Sequence, residues 1–267
     1  MARTVSVGIL VPCLLISIEI AHAQDLPPAN ATGGPTIIEP QHIAVNSSFD
    51  ADSIGNRSVY MDGTFAPFSG IYESGARFRV MGDASWYRFI ASEDPRTFAT
   101  GHYLDGGLLA GYGIWQPRFS VTGLVGPVFG QIVNSGVTTD RVGARAAIEI
   151  NARPTDSTMA SGSLSYSTIT NYLQLQAKAG LKIFGNVYVG PDAKFAWQQI
   201  LPWQINFSTS SFATPVSPQT SVTYMHLGAH VSALTLGPVV IGASGGWAHD
   251  RQLGNGYYGS VSLYLPF

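Results

Sequence analysis

Charged side chains are scarce in this sequence. Asp, Glu, Lys and Arg make up 11% of the 267 residues, against roughly 25% in an ordinary soluble domain. The 14 basic and 16 acidic residues leave a formal charge of −2, so no basic excess points to nucleic acid as a partner. Cysteine is all but missing. Cys13 is the single thiol, and the chain beyond it can form no disulfide, thiolate nucleophile or Cys-based metal site. Long apolar runs are absent beyond the N-terminus, and a membrane helix needs about 20 such residues. A helical membrane protein is therefore excluded. Glycine (30 residues) and aromatics (11%) are plentiful instead. Few charges with many rings and glycines exclude disorder, argue against a typical cytosolic enzyme, and leave an unusual β protein or a membrane barrel.

Residues 1–23 read as a secretory signal. Arg3 supplies the positive start, Val5–Ile18 is apolar apart from two serines, and Ala21-His22-Ala23 is a small-x-small cleavage site. Glu19 is irregular for such a segment, and a retained anchor is the alternative. Pro12 before Cys13, with apolar residues continuing after it, argues against a lipoprotein signal. Residues 24–41, rich in Pro, Asn, Thr and Gly, read as a periplasmic leader or linker, leaving 42–267 as the barrel.

From Arg57 onward the dominant hydrophobic period is 2, not 3.6. Leu173, Leu175, Ala177, Ala179, Leu181 and Ile183 alternate with Gln174, Gln176, Lys178, Gly180 and Lys182. Phe78, Val80, Gly82, Ala84 and Trp86 alternate with Arg77, Arg79, Asp83, Ser85 and Tyr87 among others. Similar stretches lie near 57–68, 102–114, 118–131, 140–151, 157–169, 187–199, 221–235, 238–249 and 255–267. With a weaker one at 43–52, they predict about twelve strands. Many run to about 11–14 residues, beyond the usual soluble length of about 5–6 and suited to a tilted bilayer crossing. The fold class predicted is all-β: an antiparallel up-and-down transmembrane β-barrel.

Alternating the strands across a membrane puts short connections on one side, at Ser69–Glu73, Gln116–Pro117, Ala152–Asp156, Phe184–Asn186 and Leu236–Gly237. Longer ones, Ile90–Gly101 and Ile200–Thr220, fall on the other. Short periplasmic turns and longer outer loops mark bacterial outer-membrane barrels. The last stretch carries Tyr257, Val261, Leu263, Leu265 and the terminal Phe267 on one face. That pattern resembles the signal read by the barrel-assembly machinery. The expected location is the outer membrane, with its lipid as surroundings.

No residue set identifies a catalytic centre, a cofactor site or a metal site. His226 and His230, on one strand face, would stand about 13 Å apart, too far to share a zinc with ligands at ~2.1 Å. Ser161, Ser163, Ser165 and Ser167 read as a hydrated wall, and Gly123–Pro127 lacks the helix of a phosphate loop. The inward positions are the informative ones. They gather the cations Arg77, Arg79, Arg141, Arg145, Lys178, Lys182 and Lys194, and the acids Asp62, Asp83, Asp105, Glu149 and Asp192. Seven tyrosines join them: Tyr60, Tyr87, Tyr103, Tyr188, Tyr224, Tyr258 and Tyr264. Buried charges must pair, so one expectation is a lumen packed by ion pairs and tyrosine rings. The other is a narrow channel in which tyrosine faces meet pyranose rings.

Several short pieces occur in a telling order: Ser74–Arg79, Leu108–Tyr112, Leu164–Thr168 with Asn171-Tyr172, Ala179–Leu181 leading to Val189–Asp192, His226–Gly228, and Gly245–Trp247. In this order the chain from about Arg57 to Phe267 resembles the BcsS-type cellulose-biosynthesis proteins of alphaproteobacteria. Members often carry Glu where this chain has Asp192. The resemblance implies a non-catalytic envelope protein that accompanies production of cellulose or a related exopolysaccharide, with the polysaccharide or its synthesis complex as partner. It implies no catalytic residues. Two further expectations stand beside it: a hydrolase acting on lipid at the outer rim, pairing Ser232 or Ser244 with His249, and a structural, adhesive or small-solute barrel presenting Ile200–Thr220.

Overall fold

The computed structural model describes residues 41–93, 96–134, 137–199 and 221–267. The proposed signal segment, most of the leader and the Ile200–Thr220 connection lie outside the described residues. Twelve antiparallel strands close into one barrel: β1 (Ile43–Asp52), β2 (Arg57–Phe65), β3 (Gly75–Glu93), β4 (Arg96–Gln116), β5 (Phe119–Asn134), β6 (Val137–Ala152), β7 (Thr158–Ser167), β8 (Tyr172–Phe184), β9 (Val187–Gln199), β10 (Ser221–Leu236), β11 (Val239–Asp250) and β12 (Gly254–Pro266). Each strand bonds to its sequence neighbours, and β1 closes on β12 with Ala44 opposite Pro266 and Asp52 opposite Tyr258.

The wall follows from the period-2 pattern. Met61, Val80, Leu104, Leu108, Val125, Val142, Leu175 and Leu181 face outward and are exposed, while Asp62, Arg79, Asp105, Arg145, Glu149 and Lys178 face inward and are buried. A soluble protein would bury the apolar set. A barrel in lipid inverts the arrangement, because hydrocarbon solvates the outer face and the polar groups satisfy one another within. Outward rings gather towards the two ends: Phe65, Phe119, Phe184 and Phe267 near the end where β1 begins and β12 finishes, and Trp86, Tyr166, Trp197, Trp247 and Tyr257 near the other. Such girdles sit at the two membrane–water boundaries.

The wall is uneven in height. β3 and β4 run on as a paired ladder to Glu93 and Arg96, so the Ile90–Gly101 segment is a hairpin and not the loop expected from its sequence. Backbone ladder bonds continue in water without an apolar face, and the hydrophobic pattern fades there while the strand does not. β7, by contrast, stops at Ser167, opposite Arg145 of β6. Its turn to β8 folds inward: Thr168 N–H donates to the Ala144 carbonyl, and Ile169 is buried.

At the opposite end, the β2–β3 connection tucks across the mouth. Ile71 is buried there, the Arg77 guanidinium donates to the carbonyls of Gly70, Ile71 and Glu73, and the Tyr72 and Tyr264 hydroxyls lie 2.9 Å apart. The β10–β11 turn is tight enough to need Gly237 at φ +61°.

Candidate functional site

The lumen is the candidate site, filled by three bonded groups of side chains and by apolar clusters, the largest of them against β3, β4 and β5. In the first group Arg79 of β3 reaches Glu149 of β6 with both terminal nitrogens, one contact at 3.0 Å. Its Nε donates to Thr64 Oγ1 at 2.9 Å and lies 3.6 Å from Asp62 Oδ1. Asn46 Nδ2 donates to the same Asp62 oxygen at 3.0 Å. A planar guanidinium suits this position, since its donors fork towards two carboxylates at once.

In the second group Arg145 Nη2 donates to Asp105 Oδ2 at 2.6 Å, and the Tyr103 hydroxyl donates to the same carboxylate. Asp83 accepts from Ser85 at 3.0 Å beside them. The third group lies on the far wall. Lys194 of β9 donates to Asp50 of β1 at 2.8 Å, across the positions held by β10, β11 and β12. His226 stacks on Tyr258 with centroids 3.9 Å apart and planes 5° apart. The Tyr258 hydroxyl donates to Asp192 at 3.1 Å, and Tyr224 contacts His226 and donates to Asp52 at 2.6 Å. The largest apolar cluster joins Met81, Leu109, Leu124, Val128 and Ile132 to Ile169 of the inturned β7–β8 connection, with Tyr60 and Tyr103 against it.

Each sequence-assigned lumen residue can now be placed. Asp62, Arg79, Asp105, Arg145, Glu149, Lys178, Asp192, Lys194, Tyr188, Tyr258 and Tyr264 are buried inside. Tyr60, Tyr87, Tyr103, Tyr224, Asp83 and Arg141 are half-buried, with Arg141 near the outer rim. Arg77 is buried, but its partners are turn carbonyls and a serine hydroxyl rather than the inward acids. Lys182 lies opposite buried Tyr188 in the ladder and so shares its inward face. It is exposed at the inner mouth, where the β8–β9 register shifts between Lys182 and Phe184.

Sequence reasoning passed over Asp50, the partner of Lys194, although Asn46, Ser48, Asp50 and Asp52 alternate with Val45, Ser47, Phe49 and Ala51. It also passed over the apolar cluster, because aliphatic side chains on both faces blur a period of 2. The charge balance changes accordingly: with Asp50 and Asp250 also buried and Lys182 exposed at the mouth, acids rather than cations are in surplus among the buried lumen residues.

The rim-hydrolase geometry is not formed. His249 faces outward, stacked on Trp247 and 2.8 Å from Asn255, while Ser232 and Ser244 point inward. Residues on opposite faces of one wall cannot meet. Ser232 instead lies 2.8 Å from Nδ1 of buried His230, whose Nε2 is 3.0 Å from the Ala179 carbonyl. Among the described residues no cluster of three or more His, Cys, Asp or Glu side chains could hold a metal ion.

The chain is similar to LpxR from Salmonella typhimurium at 11% identity, covering 84% of this chain and 100% of that one with a TM-score of 0.50. It is similar to the translocator domain of the autotransporter NalP from Neisseria meningitidis at 12% identity, 91% of each chain and TM-score 0.45. The beta domain of the Bordetella autotransporter BrkA follows at 14% identity, 86% and 100% coverage and TM-score 0.42. At 11% identity the likeness to LpxR is one of fold. A comparison with curated proteins finds no match. The family model of the cellulose biosynthesis protein BcsS matches residues 48–196, from within β1 to the outer part of β9 and more than half of the chain. The chain therefore belongs to the BcsS family of cellulose biosynthesis proteins.

Proposed function

We propose that this protein is a non-catalytic outer-membrane barrel that assists cellulose production with its lumen closed by its own side chains. The family match carries the role. The closed lumen is supported by the contacts that bridge non-adjacent strands, Arg79 with Glu149 and Lys194 with Asp50, together with the apolar cluster beside them. Twelve strands lie between the filled eight-stranded barrels and the water-filled porins of 16–18 strands, so long side chains can span much of the bore.

On this reading residues 1–23 are removed on export and 24–41 remain in the periplasm. The final strand with Phe267 is presented to the assembly machinery, and the outward face is solvated by outer-membrane lipid. The synthesis complex or its polysaccharide is then met at a mouth or rim, and not threaded through the barrel.

Two measurements on one system test this. Deleting the gene in a cellulose-producing host should lower dye-bound cellulose, and the purified barrel in planar bilayers should show no steady conductance of porin size. Unchanged cellulose would remove the role. A steady porin-sized conductance would remove the closed lumen and favour a channel.

A further inference from the structure

One join in the barrel differs from the rest. β1 and β2 share a single ladder pair, Ile43 opposite Phe65. The other joins hold from eight pairs, between β6 and β7, to eighteen, between β3 and β4. At its inner end the join is fixed by Ala66 N–H donating to the His42 carbonyl, and at its outer end by Asp52 N–H donating to Asn56. The Asp52 carboxylate gathers the amides of Ile54, Gly55 and Asn56 there. Between these ends the strands run side by side, and a side-chain bond also bridges them: Asn46 Nδ2 donates to Asp62 Oδ1. In hydrocarbon a thin ladder is costly, since no water is at hand to solvate the backbone.

The chemistry of the two faces says what could occupy it. Outside, the join is flanked by Val45, Phe49, Val59 and the exposed Met61, with Gly63 opening on empty space. Inside it is flanked by Asn46, Ser48, Asp50, Asp62 and Thr64, all buried. A molecule seated there would be apolar on the lipid side and hydrogen-bonding on the lumen side. The carboxylates inside already face Arg79 and Lys194, and a phosphate head would add a third negative charge beside them. Neutral hydroxyl donors fit.

We propose that the β1–β2 join is a lateral slot for an amphiphile with a hydroxyl-rich, sugar-like head, its tail lying in the bilayer along Val45 and Met61 and its head turned inward towards Asn46, Ser48 and Asp62. The proposal rests on the membrane reading above. The partner is a glycolipid, and the slot gives the closed lumen a sideways entrance within the wall.

The test uses the full mature chain in phosphatidylethanolamine/phosphatidylglycerol vesicles doped with dodecyl β-glucoside. A photoreactive benzoylphenylalanine replaces inward Tyr60 in one variant and outward Leu104 in another. Illumination should couple the glucoside at position 60. Coupling there should fall at least tenfold when Ser47→Cys and Met61→Cys, opposite each other in this register, are oxidised to a disulfide, and return on reduction. Absence of glucoside at position 60, coupling of phospholipid alone, or coupling indifferent to the disulfide would each overturn the slot. If position 104 captures no lipid either, the membrane reading fails instead.

A measurement on the unmodified chain guards against misfolded variants. By the β1–β12 pairing, the odd-numbered amides of β1 point to β12 and the even-numbered ones to β2. The amides of Asn46 and Ser48 should exchange with deuterium at least tenfold faster than those of Val45 and Ser47. Equal protection would overturn the proposal.

Discussion

Two different kinds of matter line the lumen. Against β3, β4 and β5 it is filled by Met81, Leu109, Leu124, Val128 and Ile132, which hold one another by contact alone. Against β9, β10, β12 and β1 it is filled by Lys194, Asp50, Asp192, His226 and Tyr258, which hold one another by directed bonds. Apolar filling tolerates small changes of shape and loses stability in proportion to the volume removed. Directed filling fails abruptly, because each partner left behind keeps its desolvation cost. The same bore is thus forgiving in its apolar filling and exacting in its bonded filling, and β3 and β4 carry both.

The sharpest way to break the exacting side is Lys194→Met, which keeps the bulk but leaves Asp50 without its cation. The expected loss is about 3–5 kcal/mol, read as a lower urea midpoint for unfolding from vesicles. Adding Asp50→Asn to the same chain should recover much of that loss, because the buried charge goes with its partner; no recovery would mean that the pair is not the source of the cost. On the apolar side, Leu124→Ala should cost about 2–4 kcal/mol by the same readout, with no partner able to rescue it.

Gly111→Ala probes the β4–β5 wall behind the apolar filling. An added Cβ would stand 1.8 Å from the Gly123 carbonyl oxygen, and overpacking against backbone costs about 1–3 kcal/mol. A reduced yield of the heat-modifiable folded band on gels should report it. His226→Phe retains a ring over Tyr258 and gives up the Tyr224 contact, so about 1 kcal/mol is expected. The smallest effect belongs to Arg118→Ala. Its ion pair with Asp156 is 3.8 Å long and both side chains are largely in solvent, so the unfolding midpoint should not move measurably.

The fold was legible because lipid imposes its demand on every strand alike. Residues 187–199 form β9 with the bounds expected from their alternation, and Phe267 sits beside Ile43 at the closing strand. Where water replaced lipid the signal failed, as in the Ile90–Gly101 hairpin. Within the lumen, Arg79, Arg145 and Lys194 could be named from their phase, because a charge on an otherwise apolar strand has only one side to face. Their partners could not. Pairing across a bore depends on which strands lie opposite and at what shear, and no local pattern records that Lys194 meets Asp50.

The strand order carries a consequence for how the barrel is made. Eleven of its twelve joins link strands that follow one another in sequence, and only β1 with β12 spans the whole chain. Hairpins close small loops, and the entropy of closing a loop grows slowly with its length, so the sheet can extend strand by strand at modest cost until a single long-range step remains. That step brings Ile43 and Phe267 together through reciprocal backbone bonds at the rim. The rate of maturation should therefore hang on one event between the two ends of the barrel segment. A nascent sheet of eleven joins is an open edge in search of its own first strand.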